Sequence, residues 1–482
     1  MPNFVYFFIA VAALILGFMI YSRVIEKLFG ADYEREVPCD RMADGVDYIR
    51  MPTAKVFLIQ LLNIAGVGPV FGPIMGALYG PYALLWIVLG SIFAGGVHDY
   101  FSGMLSERYL GKSTPDVVGY TLGNIFKQIM RAFAVVLLVL VGVVFVSAPA
   151  GLLTTLTGMK MSYWVGIIFV YYFLATILPI DIIIGRLYPL FAVVLIIMAV
   201  GVAGGLIYHG YEFYAWAEWT NQHPQGLPVW PLLFVTIACG ALSGFHATQS
   251  PLMARCMPNE RHGRSIFYGA MIAEGIIALI WATAGMTFYK SPEALMAAGT
   301  PGNVVNEVCK TLLGPVGGVL AVLGVVVLPV TSGDTAFRAA RLTIADIFNY
   351  GQKQSGSRLA IAIPLFAVGV ALTFVDFNIV WRYFGWSNQA LATIVLWTAA
   401  AYLVKRNSIH WVASIPATIM TAIVITYICM EKIGFNLDYT ISLVIGFVVA
   451  AASLVFFLSR RAWFDANVRL QLPYPDQTGG DA

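Results

Sequence analysis

Stretches of about 20 predominantly apolar residues, the length a helix needs to cross about 30 Å of hydrocarbon, recur along almost the whole chain. They fall at 3–22, 54–78, 82–105, 128–157, 162–180, 186–208 and 230–254, then at 266–288, 314–342, 359–375, 378–404, 410–430 and 439–459. Thirteen such windows leave little chain for anything else and predict an all-α integral membrane protein of about 13 transmembrane helices. With 59% apolar and 11% charged residues and a mean hydropathy of +0.80, the chain has too few polar side chains to wrap itself in water. Lipid is its expected partner. A net charge of +3, dispersed between windows, gives nucleic acid nothing to bind. Cys39, Cys239, Cys256, Cys309 and Cys429 show no CxxC spacing, so they read as packing residues. The first window lacks a basic start and a cleavage site and reads as a retained helix.

An odd number of crossings puts the termini on opposite sides, and the basic residues say which is which. Of the 28 Lys and Arg, 23 fall on one side and only Lys160, Lys290, Lys310, Arg382 and Lys432 on the other. Since cytoplasmic loops collect the excess, the N-terminus is expected outside and the C-terminus in the cytoplasm.

Two windows differ from the rest. The second carries Gly66-Val67-Gly68-Pro69-Val70-Phe71-Gly72-Pro73 at its middle, and the seventh carries Ser243-Gly244-Phe245-His246-Ala247-Thr248-Gln249-Ser250-Pro251. Proline withdraws backbone hydrogen bonds that hydrocarbon cannot replace, so both windows are expected to be broken helices around a cavity. They open two sets of five spans about 177 residues apart, and because five is odd the second set is inverted. This gives four parts: 1–53, one helix and a loop; 54–208, the first repeat; 230–404, the second repeat; and 405–482, two helices and a tail. Paired broken helices in corresponding positions point to a transporter site near the bilayer midplane.

Four motifs resemble the carbon starvation protein A family: the GPxxGP run within 63–76, Ser243-Gly244-Phe245-His246, the Thr-Ser-Gly-Asp-Thr run within 328–341, and Gly385-Trp386-Ser387-Asn388-Gln389. The resemblance implies uptake of peptides or pyruvate across a bacterial inner membrane. It also implies membership of the amino acid, polyamine and organocation transporter superfamily. That superfamily brings a LeuT-like fold, ten helices in a 5+5 inverted repeat, here with one extra helix before and two after.

Half-helix ends at the midplane offer N–H groups to carboxylates and C=O groups to cations. The substrate site is expected at Gly66, Val67, Gly68, Pro69, Gly72, Ser243, Gly244, Phe245, His246, Thr248 and Gln249, with half-helices starting near Val70 and Thr248 facing a solute carboxylate. His246 could bind solute, carry a proton or bond a neighbouring carbonyl. Thr331-Ser332 in the ninth span is the clearest ion candidate, because Pro329 frees the Val325 carbonyl beside two hydroxyls. Asn63-Ile64-Ala65-Gly66-Val67-Gly68 resembles the unwound segment of sodium-coupled amino-acid transporters. That likeness implies one Na+ held by carbonyls of Leu62, Ala65 and Leu328 and the hydroxyls of Thr331 and Ser332; bonds back to their own helix are the plainer role for those hydroxyls. Pro69 stands where a second sodium site would want an amide.

Glu274, roughly 12 Å into the eighth span by helix rise, is a proton-coupling candidate. So are His98 and Asp99, whose plainer role is a pair at the membrane interface. Asp334 is expected to pair Arg338 one turn on, and Arg382 to act as a snorkelling anchor. Gly111-Lys112-Ser113-Thr114 is not a phosphate loop, since Ser106 stands where the first glycine must be. No enzyme motif and no cofactor beyond a coupling Na+ or H+ is expected. The chain thus reads as a cation-coupled importer of small carboxylate solutes, with a channel or a non-transporting nutrient sensor of the same fold as the alternative; its oligomeric state is not encoded legibly.

Overall fold

A computed structural model describes residues 4–45, 47–177, 184–212, 219–348, 350–352 and 354–460. Lys353, Arg461 and Arg469 of the basic set lie outside these residues, as does the side chain of Arg186. Among the described residues every regular element is a helix. Each of the thirteen windows holds a helix or a broken pair. Among the described residues nine helices are long and apolar enough to span alone, and the pair Thr53–Ala65 and Gly68–Tyr79, bent by 47°, makes a tenth. Met161–Ala175 and Gly356–Leu372 are apolar but shorter, and the seventh window is split into Val229–Thr236 and Gly244–Ala254.

Burial separates a core from a jacket. Phe377–Lys405 and Glu260–Thr287 bury 89% and 83% of their most apolar windows, whereas the first span, Val5–Phe29, and the last, Tyr439–Ser459, bury 28% and 22%. The inner helices therefore pack on protein and the terminal ones turn most of their surface to lipid. The two broken spans lie side by side in opposite directions: Thr53–Ala65 packs on Gly244–Ala254, and Val229–Thr236 packs on Gly68–Gly76. Each first half meeting the other's second half is what antiparallel broken helices produce.

The ninth window is longer than the hydropathy implies. The helix runs Pro301–Ile347, with Gly314 at φ +60° where the apolar window begins and a π turn at Leu323–Val327 just before Pro329. Thr300 caps its start through the Asn303 N–H. The segments Thr114–Leu122 and Pro292–Ala297, too short and mixed to register as spans, are also helical.

Candidate functional site

Both breaks are displaced from the sequence expectation. In the second span only 66–67 is unwound: the helix stops at Ala65, Gly66 takes φ +45°, and Gly68–Gly76 resumes two residues before Val70. Pro69 sits in the first turn, where no N–H has an intrahelical partner, so it starts the half-helix rather than breaking it. In the seventh span the unwound stretch is 237–243, and the half-helix begins at Gly244, four residues before Thr248. The polar run from Ser243 has the sequence character of a break, but it is the first turn of the new helix, whose free N–H groups want polar partners. Asn388 of the eleventh span supplies one. Its Oδ1 accepts from the Phe245 N–H at 2.7 Å and from the Ser243 hydroxyl at 3.1 Å.

The expected solute residues divide accordingly. Gly66, Val67, Gly68, Pro69, Gly72, Ser243, Gly244, Phe245, His246 and Gln249 are buried, and several serve to seat one break on the other. A side chain at Gly68 would strike Cys239, and one at Gly244 would strike the backbone of Asn388 and Ala392. Of the set, Thr248 lines a cavity of about 650 Å³. Its walls include Asn63, Thr114 and Thr335 and four basic side chains, Arg50, Lys55, Arg255 and Arg338, against the acidic Asp47 and Asp346. The four basic residues all belong to the side of the chain that collects Lys and Arg.

Behind the half-helix, away from the cavity walls, the titratable candidates meet in one row. His98 Nδ1 lies 2.7 Å from Asp99 Oδ1, and Asp99 Oδ2 lies 2.8 Å from His246 Nδ1. His246 Nε2 in turn faces Glu274 Oε2 at 3.3 Å. All four side chains are fully buried. His98 and Asp99 are thus not an interface pair, because the third span, Tyr82–Arg108, turns them onto the half-helix of the seventh. Cys239 Sγ lies within 4.8 Å of the His246 and Glu274 donor atoms. It is 3.3 Å from the Ser243 hydroxyl and accepts from Asn388 Nδ2 at 3.8 Å, so it belongs to the hydrogen-bonded floor of the row. Sequence alone gives Cys239 and Asn388 no role in the site. The signal for Asn388 is its place in the polar run Ser387-Asn388-Gln389 at the middle of a membrane window.

The expected ion residues lie on two helices that touch, Thr53–Ala65, which carries Leu62 and Ala65, and Leu328–Ile347. Thr331 and Ser332 are buried; the Ser332 hydroxyl has no hydrogen-bond partner, while its carbonyl accepts from Thr335 Oγ1 at 2.8 Å. An orphaned buried hydroxyl is the kind of oxygen a hard cation can take. Asp334 pairs Arg338 at 3.6 Å as spacing predicts. Arg382 is not simply an anchor: it pairs Glu431 at 2.9 Å, joining the eleventh and twelfth spans.

A second buried ionic cluster is hidden from a sequence reading because its members flank window ends. Glu260, fully buried, accepts from Arg108 Nη2 at 3.1 Å and from the Asp32 N–H at 2.7 Å, with Arg35 Nε at 3.3 Å. Arg108 also donates to the Gly30 carbonyl and the Tyr402 hydroxyl, and stacks over Phe29 at 4.3 Å. These bonds tie the loop after the first span to the third, eighth and eleventh. In the same loop Cys39 donates to the Met257 carbonyl, and burial pushes its thiol up to about 12, so it stays protonated and unreactive.

The carbon starvation protein CstA family profile matches residues 3–157, 148–313 and 287–427. An uncharacterized membrane protein of Haemophilus influenzae is 47% identical over 357 residues, 63% of this chain and 96% of that one. The peptide transporter CstA of Bacillus subtilis is 25% identical across 96% of this chain and 98% of its own, and the pyruvate/proton symporter BtsT of Escherichia coli is 25% identical across 61% and 50%. Among solved structures, the Eremococcus coleocola manganese transporter in complex with an aromatic bis-isothiourea substituted compound superposes with a TM-score of 0.54 at 13% identity, covering 89% of this chain and 99% of its own. Mhp1, a nucleobase-cation-symport-1 family transporter in a closed conformation, superposes with a TM-score of 0.54 at 12%, covering 86% and 96%. The fold is therefore the LeuT-like one expected, and with nearly its whole length matched by the family profile, the chain belongs to the carbon starvation protein CstA family.

Proposed function

We propose that the protein is a cation-coupled secondary transporter that imports small carboxylate-bearing solutes, peptides or pyruvate, by alternating access in a bacterial inner membrane. The observation that carries this reading is the cavity that runs from four basic side chains to Asn63 and Thr248, at the two broken helices. A carboxylate is drawn to such walls by their positive charge. With the N-terminus outside, the cavity opens to the cytoplasm and this is an inward-facing arrangement. The relative matched end to end is named a peptide transporter, and the pyruvate/proton symporter matches over a shorter stretch, which favours peptides.

Purified protein in liposomes tests the reading. Labelled dialanine should accumulate above its outside concentration under an imposed ion gradient, with pyruvate as the competing solute. Flux that only equilibrates would make the protein a channel, and no flux a sensor.

A further inference from the structure

We propose that the coupling cation is a proton, held between His246 and Glu274 and oriented by Asp99 and His98, an assignment that rests on the transporter reading above. An ionised carboxylate can only accept hydrogen bonds. Asp99 receives one imidazole on each oxygen, His98 at 2.7 Å and His246 at 2.8 Å, so both Nδ1 atoms carry hydrogen. That fixes the other end of His246. Its Nε2 is a lone pair if the ring is neutral and an N–H if the ring is charged.

Glu274 Oε2 faces this nitrogen at 3.3 Å, with both side chains fully buried. A lone pair against a carboxylate in a dry interior has no compensating partner. One proton between them removes the conflict, whether Glu274 donates to the neutral ring or the charged ring donates to Glu274. Taking it away leaves two carboxylates, Asp99 and Glu274, on either side of one neutral ring. Among the described residues the remaining titratable group against the row is the Cys239 thiol, and Asn388 beside it is neutral.

The proton therefore sits across a joint between helices. Asp99 and His98 belong to the third span, Glu274 to the eighth, and His246 to the half-helix Gly244–Ala254 of the broken seventh. That half-helix reaches the solute cavity two residues further on, at Thr248. Binding or losing one proton changes the tie between the half-helix and the eighth span, while solute meets the same half-helix on another face. The two ligands share a moving part without sharing a pocket.

The test uses full-length protein in liposomes with labelled pyruvate and dialanine as probes. One proton per monoanionic pyruvate makes transport electroneutral, so a pH step of one unit, acid outside, should accumulate pyruvate about tenfold. A trapped pH dye should report matching proton entry. In E274Q, exchange of labelled for unlabelled solute at equal pH should persist, because exchange needs no net proton movement. Accumulation driven by the pH step should fall to the level without a gradient, and E274D should restore it. If E274Q does not assemble, H246Q removes the same proton's other partner and should give the same split.

An E274Q or H246Q protein that still accumulates solute tenfold overturns the assignment. Wild-type accumulation that ignores pH and follows sodium also overturns it, moving coupling to Thr331 and Ser332 with the transporter reading intact. A wild-type protein that neither exchanges nor accumulates either solute takes down both.

Discussion

Asn388 is the residue on which the second break most directly depends, and its removal has a calculable cost. The N–H of Phe245, second residue of the half-helix, bonds to Asn388 Oδ1 at 2.7 Å, the role an N-cap side chain usually plays. Ser243 is the cap residue by position, yet its hydroxyl turns away to donate to the same Asn388 oxygen. In N388A the Phe245 N–H is buried without an acceptor, a cost of about 1–3 kcal/mol. The Ser243 hydroxyl can turn to Cys239 Sγ, 3.3 Å away, so its loss adds only about 0.5–1 kcal/mol. N388A should therefore destabilise the protein by about 1.5–4 kcal/mol, S243A by about 1 kcal/mol or less, and the double variant by less than the sum. N388D keeps an acceptor at a helix N-terminus and should lose much less. Unfolding by SDS titration, followed by tryptophan fluorescence, measures all four. An N388A protein within about 0.5 kcal/mol of wild type would show that the half-helix does not need this cap.

Three further outcomes follow from the same geometry. Replacing Gly244 with alanine drives a methyl into the Asn388 carbonyl and the Ala392 N–H, neither of which can rotate away, and should cost about 1–3 kcal/mol or more and abolish uptake while membrane insertion continues; uptake at the wild-type rate would mean that the two helices are not in contact. E260Q leaves Arg108 and Arg35 short of their shared counter-charge and should destabilise by about 3–5 kcal/mol, read by the same SDS titration, with a change under about 1 kcal/mol refuting the clamp. An alkaline phosphatase fused after Ala482 should be inactive in cells, because the side richer in basic residues is expected to be cytoplasmic; an active fusion would overturn the orientation.

The spans are legible in the sequence because hydrocarbon imposes length and apolarity together, and the broken pair because helix-interrupting residues cluster at corresponding positions of two windows, whereas single prolines such as Pro149 and Pro416 sit inside unbroken helices. Where each break falls is not. In Gly68-Pro69 the proline reads as a breaker, but a proline one residue after a restart is a helix former, and only the stop at Ala65 tells the two apart. In the seventh span the signal is inverted. The unwound stretch 237–243 is mostly apolar and the polar residues follow it, because a buried half-helix needs partners at its start more than the loop before it does. The row of His98, Asp99, His246 and Glu274 is visible in sequence as three separate proton-coupling candidates plus a histidine placed in the solute site and left open to a proton. Nothing in one sequence places His98, His246 and Glu274 together, since they join three spans through contacts across as many as 147 residues. Cys239 reads as packing for the same reason.

The third span carries both buried ionic clusters, and their separation decides which helix can move. Asp99 and Arg108 are nine residues apart, about 13.5 Å along one helix. At the Arg108 end the span is fixed to Glu260, Gly30 and Tyr402 by charged hydrogen bonds, with Phe29 under the guanidinium. None of these partners belongs to the broken seventh span. At the Asp99 end its ties are to the half-helix Gly244–Ala254, which is joined to the preceding half only by the unwound 237–243. A change in proton occupancy at His246 therefore acts on a rod pinned at one end and on a short helix with a hinge before it. The short helix has bonds of its own to Gln60, Thr114 and Asn388, but the unwound segment before it gives it a hinge that the third span lacks at Arg108. On the proposed coupling, displacement of the short helix would carry Thr248 with it, so the cavity wall would move with the proton.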